Sequence, residues 1–287
     1  MWDYVRLIYY LLKPQTLFLR CSTYGLGDNL LLSALLPELR RQNPSKTIVV
    51  ETRWPELFRN NPYPDWVTGR HIKTTERHLK PKYQVDHETD VSIYRQLMRK
   101  IGADRESTPE FYLKDRETAE AERLFPFDYV AVCPVGKTTF CANRKEWGLG
   151  NFQTLRDLMP DIRFVQIGVP GDPLLENVID ARHLDVRMTA AVIRNSLFFL
   201  GLEGGLMHLA KAVGRRAVII YGGMIRPDIS GYAENVNIYQ AADCSPCFDS
   251  DRAHKPCESM KCMKAITPQM VYDRIREEFI EAGRRER

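Results

Sequence analysis

The 287-residue sequence contains 44% hydrophobic and 27% charged residues and has a formal net charge of +4. Such a chain can bury one large core or two medium ones, and its mild charge does not indicate nucleic acid as a partner. No apolar run is long enough for a membrane-spanning helix. The start, with an acid at Asp3 and no small-residue cleavage site, is a poor secretory signal, so we expect a cytoplasmic protein with reduced cysteines.

The first predicted element is a helix, "MWDYVRLIYYLL", which Pro14 ends. Two interpretations of this helix stay open. It packs over a flank of the protein, or its aromatic side chains, with Arg6 and Lys13, lie at the headgroup level of an anionic membrane. The second interpretation would place the protein peripherally on the inner face of the membrane.

Predicted strands and helices alternate along the rest of the sequence in two separate series. The first series comprises the strand "TLFLR", a glycine turn, a helix over residues 29–42, the strand "KTIVVET" and two weaker helices, residues 91–102 and 116–125. The second series runs from "YVAVC" through "GNFQTLRDLM", "IRFVQ", "MTAAVIRNS", "LFFLG" and "GGLMHLAKAVG" to "AVIIY", and an amphipathic helix follows. This pattern predicts an α/β fold with parallel sheets in two domains, residues 1–125 and 126–287.

An acid occupies the first glycine turn, where a dinucleotide-binding loop would hold a phosphate. Gly25 and Gly27 fit that fingerprint, but Leu30 stands at its third glycine. A carboxylate at Asp28 about 4 Å from a phosphate would cost roughly 4 kcal/mol at an effective dielectric of 20. Asp28 therefore either caps the helix or acts as a general base that the helix N-terminus keeps ionised.

The second glycine turn is the better phosphate site. Gly204 and Gly205 end a strand and begin a helix, so an anion can approach the N–H groups of its first turn. Glu203 precedes them and suits sugar or ribose hydroxyls. His208 lies off the apolar stripe of this helix, and from the residues alone a structural role is the favoured interpretation.

Basic residues occur near both turns. Arg144 and Lys145 follow a strand and either balance a pyrophosphate or are solvated loop charges. Residues 70–82 carry five basic residues against one acid, which indicates either an anionic acceptor, such as a phosphorylated or carboxylated glycan, or a solvated loop.

Four of the seven cysteines cluster near the end of the chain. Cys244, Cys247, Cys257 and Cys262 lie within nineteen residues of loop sequence. In a reducing compartment this pattern predicts a structural tetrathiolate site for Zn or Fe. Cys21, Cys133 and Cys141 are interpreted as small apolar residues.

Three motifs, in order, resemble glycosyltransferase family 9, which contains the ADP-heptose:lipopolysaccharide heptosyltransferases. They are "GLGDNLLLSALLPELRRQNP", "RKEWGLGNFQTL" and "GLEGGLMHLAKAVGRRAVIIYGG", and "CSPC" and "CMKAITPQMV" are similar to the family's C-terminal stretch. The resemblance implies a GT-B fold of two Rossmann-like domains whose parallel sheets face an interdomain cleft. It also implies inverting, metal-independent transfer, with Asp28 as general base, Lys145 as donor-phosphate cation and Gly204, Gly205, Leu206 and His208 on the donor loop. Glu203 and Gly204 replace the family's usual Asp-Ser, and Gly148 stands where Pro is commoner.

Together these expectations describe a glycosyltransferase that transfers a sugar to a surface-glycan or lipopolysaccharide-type acceptor. The first choice of sugar is heptose, and the first choice of donor is an ADP-sugar. No catalytic cofactor and no nucleic acid are expected. The predicted donor site comprises Arg144, Lys145, Glu203, Gly204, Gly205, Leu206 and His208; the predicted acceptor site comprises Gly25, Gly27, Arg70, Lys73 and Arg77. Alternatives are a GT-B sugar-nucleotide epimerase, which needs no acceptor, and a non-enzymatic nucleotide- or nucleic-acid-binding module.

Overall fold

The computed structural model describes residues 2–21, 23–72, 75–85, 90–136, 141–248 and 255–281. The chain forms two compact units, one of Met1–Gln84 and Ile93–Tyr112 and the other of Val85–Ser92 and Leu113–Arg287. Within the described ranges, no helix has both the length and the apolar character needed to cross a bilayer.

The first unit is built on a four-stranded parallel sheet with the order β3-β2-β1-β4. Its strands are β1 (Thr16–Arg20), β2 (Thr47–Glu51), β3 (Trp66–Thr68) and β4 (His78–Leu79). The predicted strands β1 and β2 are confirmed, and they pair in register along residues 16–20 and 47–51. Both are nearly continuous apolar runs, as expected for strands covered on both faces, and Phe18, Leu19 and Val49 are fully buried.

Helices cover this sheet and connect its strands. They are α1 (Trp2–Leu12), α2 (Leu26–Leu31), α3 (Leu36–Gln42) and α4 (Ile93–Arg99). A tighter 3-10 turn, Leu32–Leu35, joins α2 to α3, so the helix predicted over residues 29–42 is one helical run that begins earlier, at Leu26.

The second unit contains a six-stranded parallel sheet with the order β10-β9-β8-β5-β6-β7. Its strands are β5 (Tyr129–Cys133), β6 (Arg163–Gln166), β7 (Ile179–Asp180), β8 (Phe199–Leu202), β9 (Ala217–Tyr221) and β10 (Val236–Tyr239). The helices are α5 (Asp115–Leu124), α6 (Leu149–Asp157), α7 (Val186–Asn195), α8 (Gly205–Ala212), α9 (Pro227–Ser230), α10 (Lys261–Lys264) and α11 (Pro268–Ile275), and a wider π-helical segment, Arg276–Glu281, follows α11.

The helix α5 groups with the second unit, although the sequence placed the domain boundary after it, at residue 125. It packs on α7. Arg187 in α7 donates from Nε and Nη2 to the two carboxylate oxygens of Glu117, at 2.5 and 2.7 Å. This ion pair ties α5 to α7 in the second unit.

Each sheet has one point at which the strand order reverses direction. The first sheet grows from β1 through β2 to β3 and then continues with β4 on the other side of β1; the second grows from β5 to β7 and then adds β8 beside β5. Ligands of open α/β sheets bind outside the carboxyl ends of the strands at such points. A ligand-binding site is therefore expected at the loops after β1 and β4 in the first unit, and at the loops after β5 and β8 in the second.

Candidate active site

Asp28 lies in the loop and helix that follow β1, at the reversal point of the first sheet. Its carboxylate is half-buried and accepts two hydrogen bonds. Thr23 Oγ1 donates to Oδ2 at 2.7 Å, and Tyr83 Oη, which follows β4, donates to Oδ1 at 2.5 Å. Each carboxylate oxygen keeps acceptor capacity for a further proton donor.

The helix-cap interpretation of Asp28 does not describe its place in the structure. The N-cap of α2 is Gly25, and among the described residues no side chain caps this end. Asp28 stands in the first turn instead, where its negative charge interacts favourably with the helix dipole. A Cβ at position 25 would come within 2.8 Å of Asp28 Oδ2, so glycine there leaves room for the acid.

Sequence reasoning missed Tyr83 and Thr23. Thr23 lies in the glycine turn itself and could have been found as a hydroxyl next to an acid. Tyr83 is 55 residues from Asp28 and reaches it only because β4 lies beside β1 in the sheet. No local pattern in the sequence reveals that neighbour.

The basic stretch that was predicted to bind the acceptor divides into different environments. Arg77 donates from Nη1 to the carbonyl of Lys13 and from Nη2 to that of Leu11, both at 2.7 Å, so its guanidinium holds the end of α1. Arg70 is exposed. His78 stacks on Phe18 with ring centroids 4.7 Å apart, and burial lowers the pKa of its imidazole. Lys73, also predicted for the acceptor, lies outside the described residues.

The two loops at the reversal point of the second sheet meet through an ion pair. Lys145, in the loop after β5, contacts the carboxylate of Glu203, which directly follows β8. The two side chains are 17% and 8% exposed, so the pair is largely removed from water. Sequence reasoning placed both residues in the donor site but not in contact with each other.

The turn after Glu203 offers backbone donors to an anion. Gly204 has φ of 153°, a conformation that side-chain-bearing residues rarely adopt. Gly205 begins α8, and among the described residues no side chain caps this helix. Leu206 is half-buried beside it. The N-terminus of an eight-residue helix thus follows directly after the acid that contacts the Lys145 ammonium, an arrangement that suits phosphate oxygens.

His208 is buried, and its Nδ1 lies 2.8 Å from the hydroxyl of Tyr232. The structure therefore gives this histidine a hydrogen-bond partner within the second unit. Contact with a donor nucleotide stays a prediction.

Arg144 points away from the ion pair, although it neighbours Lys145 in sequence. Its Nε donates to the carbonyl of Lys255 at 2.9 Å, and its Nη1 lies 3.4 Å from Cys247 Sγ. Asn143, which sequence reasoning missed, exchanges two hydrogen bonds with the backbone of Cys257, at 2.7 and 3.0 Å. The loop that carries Lys145 is thus fastened to the cysteine loop.

The four clustered cysteines and Arg144 line one cavity of about 660 Å³. All seven cysteines of the chain are free thiols. In the part of the chain that the structure describes, no three Cys, His, Asp or Glu side chains are arranged to hold a metal ion. Four thiols are a donor set that Zn or Fe prefers, but the sulfur atoms do not converge on one point.

The three isolated cysteines differ in exposure. Cys133 and Cys141 are buried, as a small apolar residue would be, and burial raises the pKa of the Cys133 thiol to about 12. Cys21 is only partly buried, and its sulfur lies 3.5 Å from Thr23 Oγ1.

Two parallel α/β units, each with candidate chemistry at its reversal point, define the GT-B class of fold. Comparison with known proteins places the chain within that class: a family model described as glycosyltransferase family 9 (heptosyltransferase) matches residues 69–258. The match covers more than half of the sequence, and the chain belongs to glycosyltransferase family 9. A search of curated proteins found no significant match.

Three solved structures have a similar fold. The iron-containing dodecameric glycosyltransferase TibC from enterotoxigenic E. coli H10407 is 19% identical, with a TM-score of 0.74 over 94% of this chain and 78% of TibC. A family 9 glycosyltransferase from Veillonella parvula is 15% identical, with a TM-score of 0.74 over 93% and 98% of the two chains. The E. coli ADP-heptose lipopolysaccharide heptosyltransferase II is 14% identical, with a TM-score of 0.69 over 93% and 99%. At these identities the likeness shows the fold.

Proposed function

We propose that this protein is an inverting heptosyltransferase that moves a heptose from ADP-heptose to a hydroxyl group of a lipopolysaccharide-type acceptor. Membership of family 9 supports transferase activity. The donor is inferred from a structural neighbour, TibC, which has been solved with ADP-D-β-D-heptose, and the acceptor from heptosyltransferase II. The observation that carries the proposal is the Asp28 carboxylate, held by Thr23 and Tyr83 at the reversal point of the first sheet.

In the proposed reaction, Asp28 accepts the proton of the acceptor hydroxyl while the acceptor oxygen bonds to the anomeric carbon of the heptose. The bond between that carbon and the pyrophosphate oxygen breaks on the opposite face, so the configuration inverts and ADP leaves. The proton then passes from Asp28 to water. The two hydroxyl donors fix the carboxylate in one orientation, which favours a productive approach of the acceptor.

The second unit supplies the donor site in this proposal. The leaving ADP gains negative charge, which the N-terminus of α8 at Gly204 and Gly205 and the ammonium of Lys145 stabilise. Glu203 accepts hydrogen bonds from ribose or sugar hydroxyls. Because a helix terminus and a cation already face the pyrophosphate, we assign no catalytic metal to this transfer.

The first unit supplies the acceptor site. Gly25 and Gly27 leave the backbone open beside Asp28, and exposed Arg70, with Lys73, would attract phosphate or carboxylate groups of the glycan. Arg77 serves this site only indirectly, by fixing the end of α1. Since a lipopolysaccharide-type acceptor is membrane-borne, we propose that the enzyme works from the cytoplasm in peripheral contact with the inner face of the membrane.

We also propose a structural Zn or Fe ion in the cysteine loop. The sulfur atoms of Cys244, Cys247, Cys257 and Cys262 do not converge in this structure, so they would have to move together to hold the ion as thiolates. Such a complex of a divalent ion carries two negative charges. Arg144 and Lys261 line the same cavity and would offset that charge. TibC, described as iron-containing, is a precedent.

The test measures ADP release and heptose transfer by the full chain, with ADP-D-β-D-heptose and a heptose-deficient lipopolysaccharide. We expect turnover only with acceptor present, and Asp28→Asn should lower kcat at least about 100-fold while ADP affinity is unchanged. Asp104→Asn, at an exposed acid of the same unit that pairs with the exposed Arg99, is the control. Turnover retained in Asp28→Asn would refute the base assignment, and conversion of the donor without acceptor would indicate an epimerase.

A further inference from the structure

Helix α1 carries apolar side chains on two opposite faces. Its inner face, made of Leu7, Tyr10 and Leu11, packs against the first unit. The apolar cluster beneath it consists of Phe18, Val49, Trp66 and Ile72. The Tyr10 ring stacks on Trp66 with centroids 5.3 Å apart. This face anchors the helix and explains why it is folded.

The outer face is open to water. Val5, Ile8, Tyr9 and Leu12 are 56%, 55%, 56% and 76% exposed. At about 100° per residue, these four side chains fall within an arc of about 100° on the side opposite the inner face. Single exposed apolar residues are ordinary, whereas a continuous stripe of four on one short helix indicates a binding surface.

Cations flank one edge of this stripe. Arg6 and Lys13 lie seven residues apart, so they share one side of the helix, and the Lys13 ammonium is 5.8 Å from the centre of the Tyr9 ring. The basic stretch of residues 70–82 meets the same end of the helix, because Arg77 donates to the carbonyls of Leu11 and Lys13. The apolar stripe therefore adjoins a region with five basic residues and one acid in its sequence.

We propose that the outer face of α1 binds an anionic lipid surface, with the helix axis in the plane of the interface. An apolar stripe with flanking cations and a tyrosine at its edge is typical of helices that bind such an interface. A second copy of the chain fits less well, since a two-fold contact through this stripe with antiparallel helices would place the cationic edges of both copies side by side. The inference deepens the proposed function, because it names the surface through which the enzyme would reach a membrane-borne acceptor.

The experiment is co-sedimentation of the full chain with vesicles of phosphatidylcholine alone or with about one quarter phosphatidylglycerol. We expect binding to the anionic vesicles, weakened by salt, and binding at least about tenfold weaker for the double variant Ile8→Ser/Leu12→Ser. Arg6→Gln/Lys13→Gln should weaken binding less and reduce its salt dependence. Val169→Ser/Leu174→Ser, at exposed apolar positions of the second unit, is the matched control and should bind as the unmodified chain does.

The substituted side chains of α1 are exposed, so thermal unfolding should be unchanged. Failure of the unmodified chain to bind anionic vesicles, or equal binding by Ile8→Ser/Leu12→Ser, overturns the inference. Light scattering that shows a dimer dissociated by the same variant, without vesicle binding, assigns the face to a second copy. ADP binding, measured in parallel, tests the donor site separately, so either proposal can fail while the other stands.

Discussion

The largely buried ion pair between Lys145 and Glu203 lets us predict how removal of one charge changes nucleotide affinity. In the nucleotide-free chain, the carboxylate neutralises the ammonium that we assign to the pyrophosphate. A bound pyrophosphate would therefore meet both a cation and an acid. Glu203→Gln removes the acid and keeps an amide oxygen that can still accept a hydrogen bond from a hydroxyl group.

The size of the effect follows from the burial of the pair. Two unit charges about 6 Å apart interact by about 3 kcal/mol at an effective dielectric of 20. Water and salt at the mouth of the site reduce that value, and we take about half of it, about 1.4 kcal/mol, as the relief gained by ADP. Glu203→Gln should therefore lower the Kd for ADP about tenfold.

Isothermal titration of the full chain with ADP measures this change. Glu203→Asp, which keeps the charge and restores the family's usual acid, is the control and should bind within about threefold of the unmodified chain. Without nucleotide, Glu203→Gln should also unfold at a lower temperature, because the largely buried Lys145 ammonium loses its ion pair with the Glu203 carboxylate. If Glu203→Gln binds ADP no more tightly than Glu203→Asp does, the carboxylate does not face the phosphates and our placement of the pyrophosphate is wrong.

Three further predictions concern the second unit. The Arg187 guanidinium lowers the pKa of Glu117 from 4.5 to about 2, so the pair contributes about 2 kcal/mol after allowance for partial exposure, fully present above about pH 5 and lost as pH falls toward 2. Urea unfolding should show Glu117→Gln less stable at pH 7, and this difference should fall to about a quarter of its size at about pH 2.5. A pH-independent difference would contradict this account. Asn143→Ala removes the two bonds to the Cys257 backbone and should raise the Kd for ADP several-fold by freeing the Lys145 loop. Metal analysis of the purified chain should find about one Zn or Fe ion per chain. Chelation should weaken ADP binding by the unmodified chain but not by Asn143→Ala. Purified protein that contains no metal and binds ADP with full affinity would refute the proposed metal site.

Apart from β6, the strands that the sequence predicted are continuous or nearly continuous apolar runs, and those that it missed are short or interrupted by polar residues. The strands β1, β2, β5, β8 and β9 are buried along all or nearly all of their length, and this requires the unbroken hydrophobic segments that prediction detects. The strand β4 is only His78–Leu79, inside a basic stretch. In β10, "VNIY", only Val236 and Ile238 are buried, and Asn237 interrupts the apolar run.

The candidate site was predictable where its residues belong to one loop and not where the fold brings distant loops together. Asp28, Lys145 and Gly204 were found from glycine turns and charge near strand ends. Their partners were not, since the Tyr83–Asp28 contact depends on β4 lying beside β1, and the Lys145–Glu203 pair depends on β5 lying beside β8.

Neighbours in sequence also diverge in space. Arg144 and Lys145 were predicted as one cationic pair, yet one side chain enters the cysteine cavity and the other meets Glu203. Periodicity fixes side-chain direction on helices and strands, but the loop after β5 has no such repeat. The domain boundary raises the same difficulty, because the attachment of α5 depends on Arg187, 70 residues further along the chain.

The strand order of each sheet explains why the candidate acid lies in the first unit and the candidate cation lies in the second. At the end of each first strand the chain must leave the sheet, turn and enter a helix, and the neighbouring strand on the far side opens a second loop beside it. In the first unit that geometry brings hydroxyl donors to a carboxylate, which holds a proton acceptor in place. In the second unit it brings a lysine to the acid that precedes a glycine turn at a helix N-terminus, which is the arrangement that we propose for the diphosphate. A reaction that removes a proton from one substrate and releases a diphosphate from the other needs both, and glycosyl transfer from a nucleotide sugar is such a reaction.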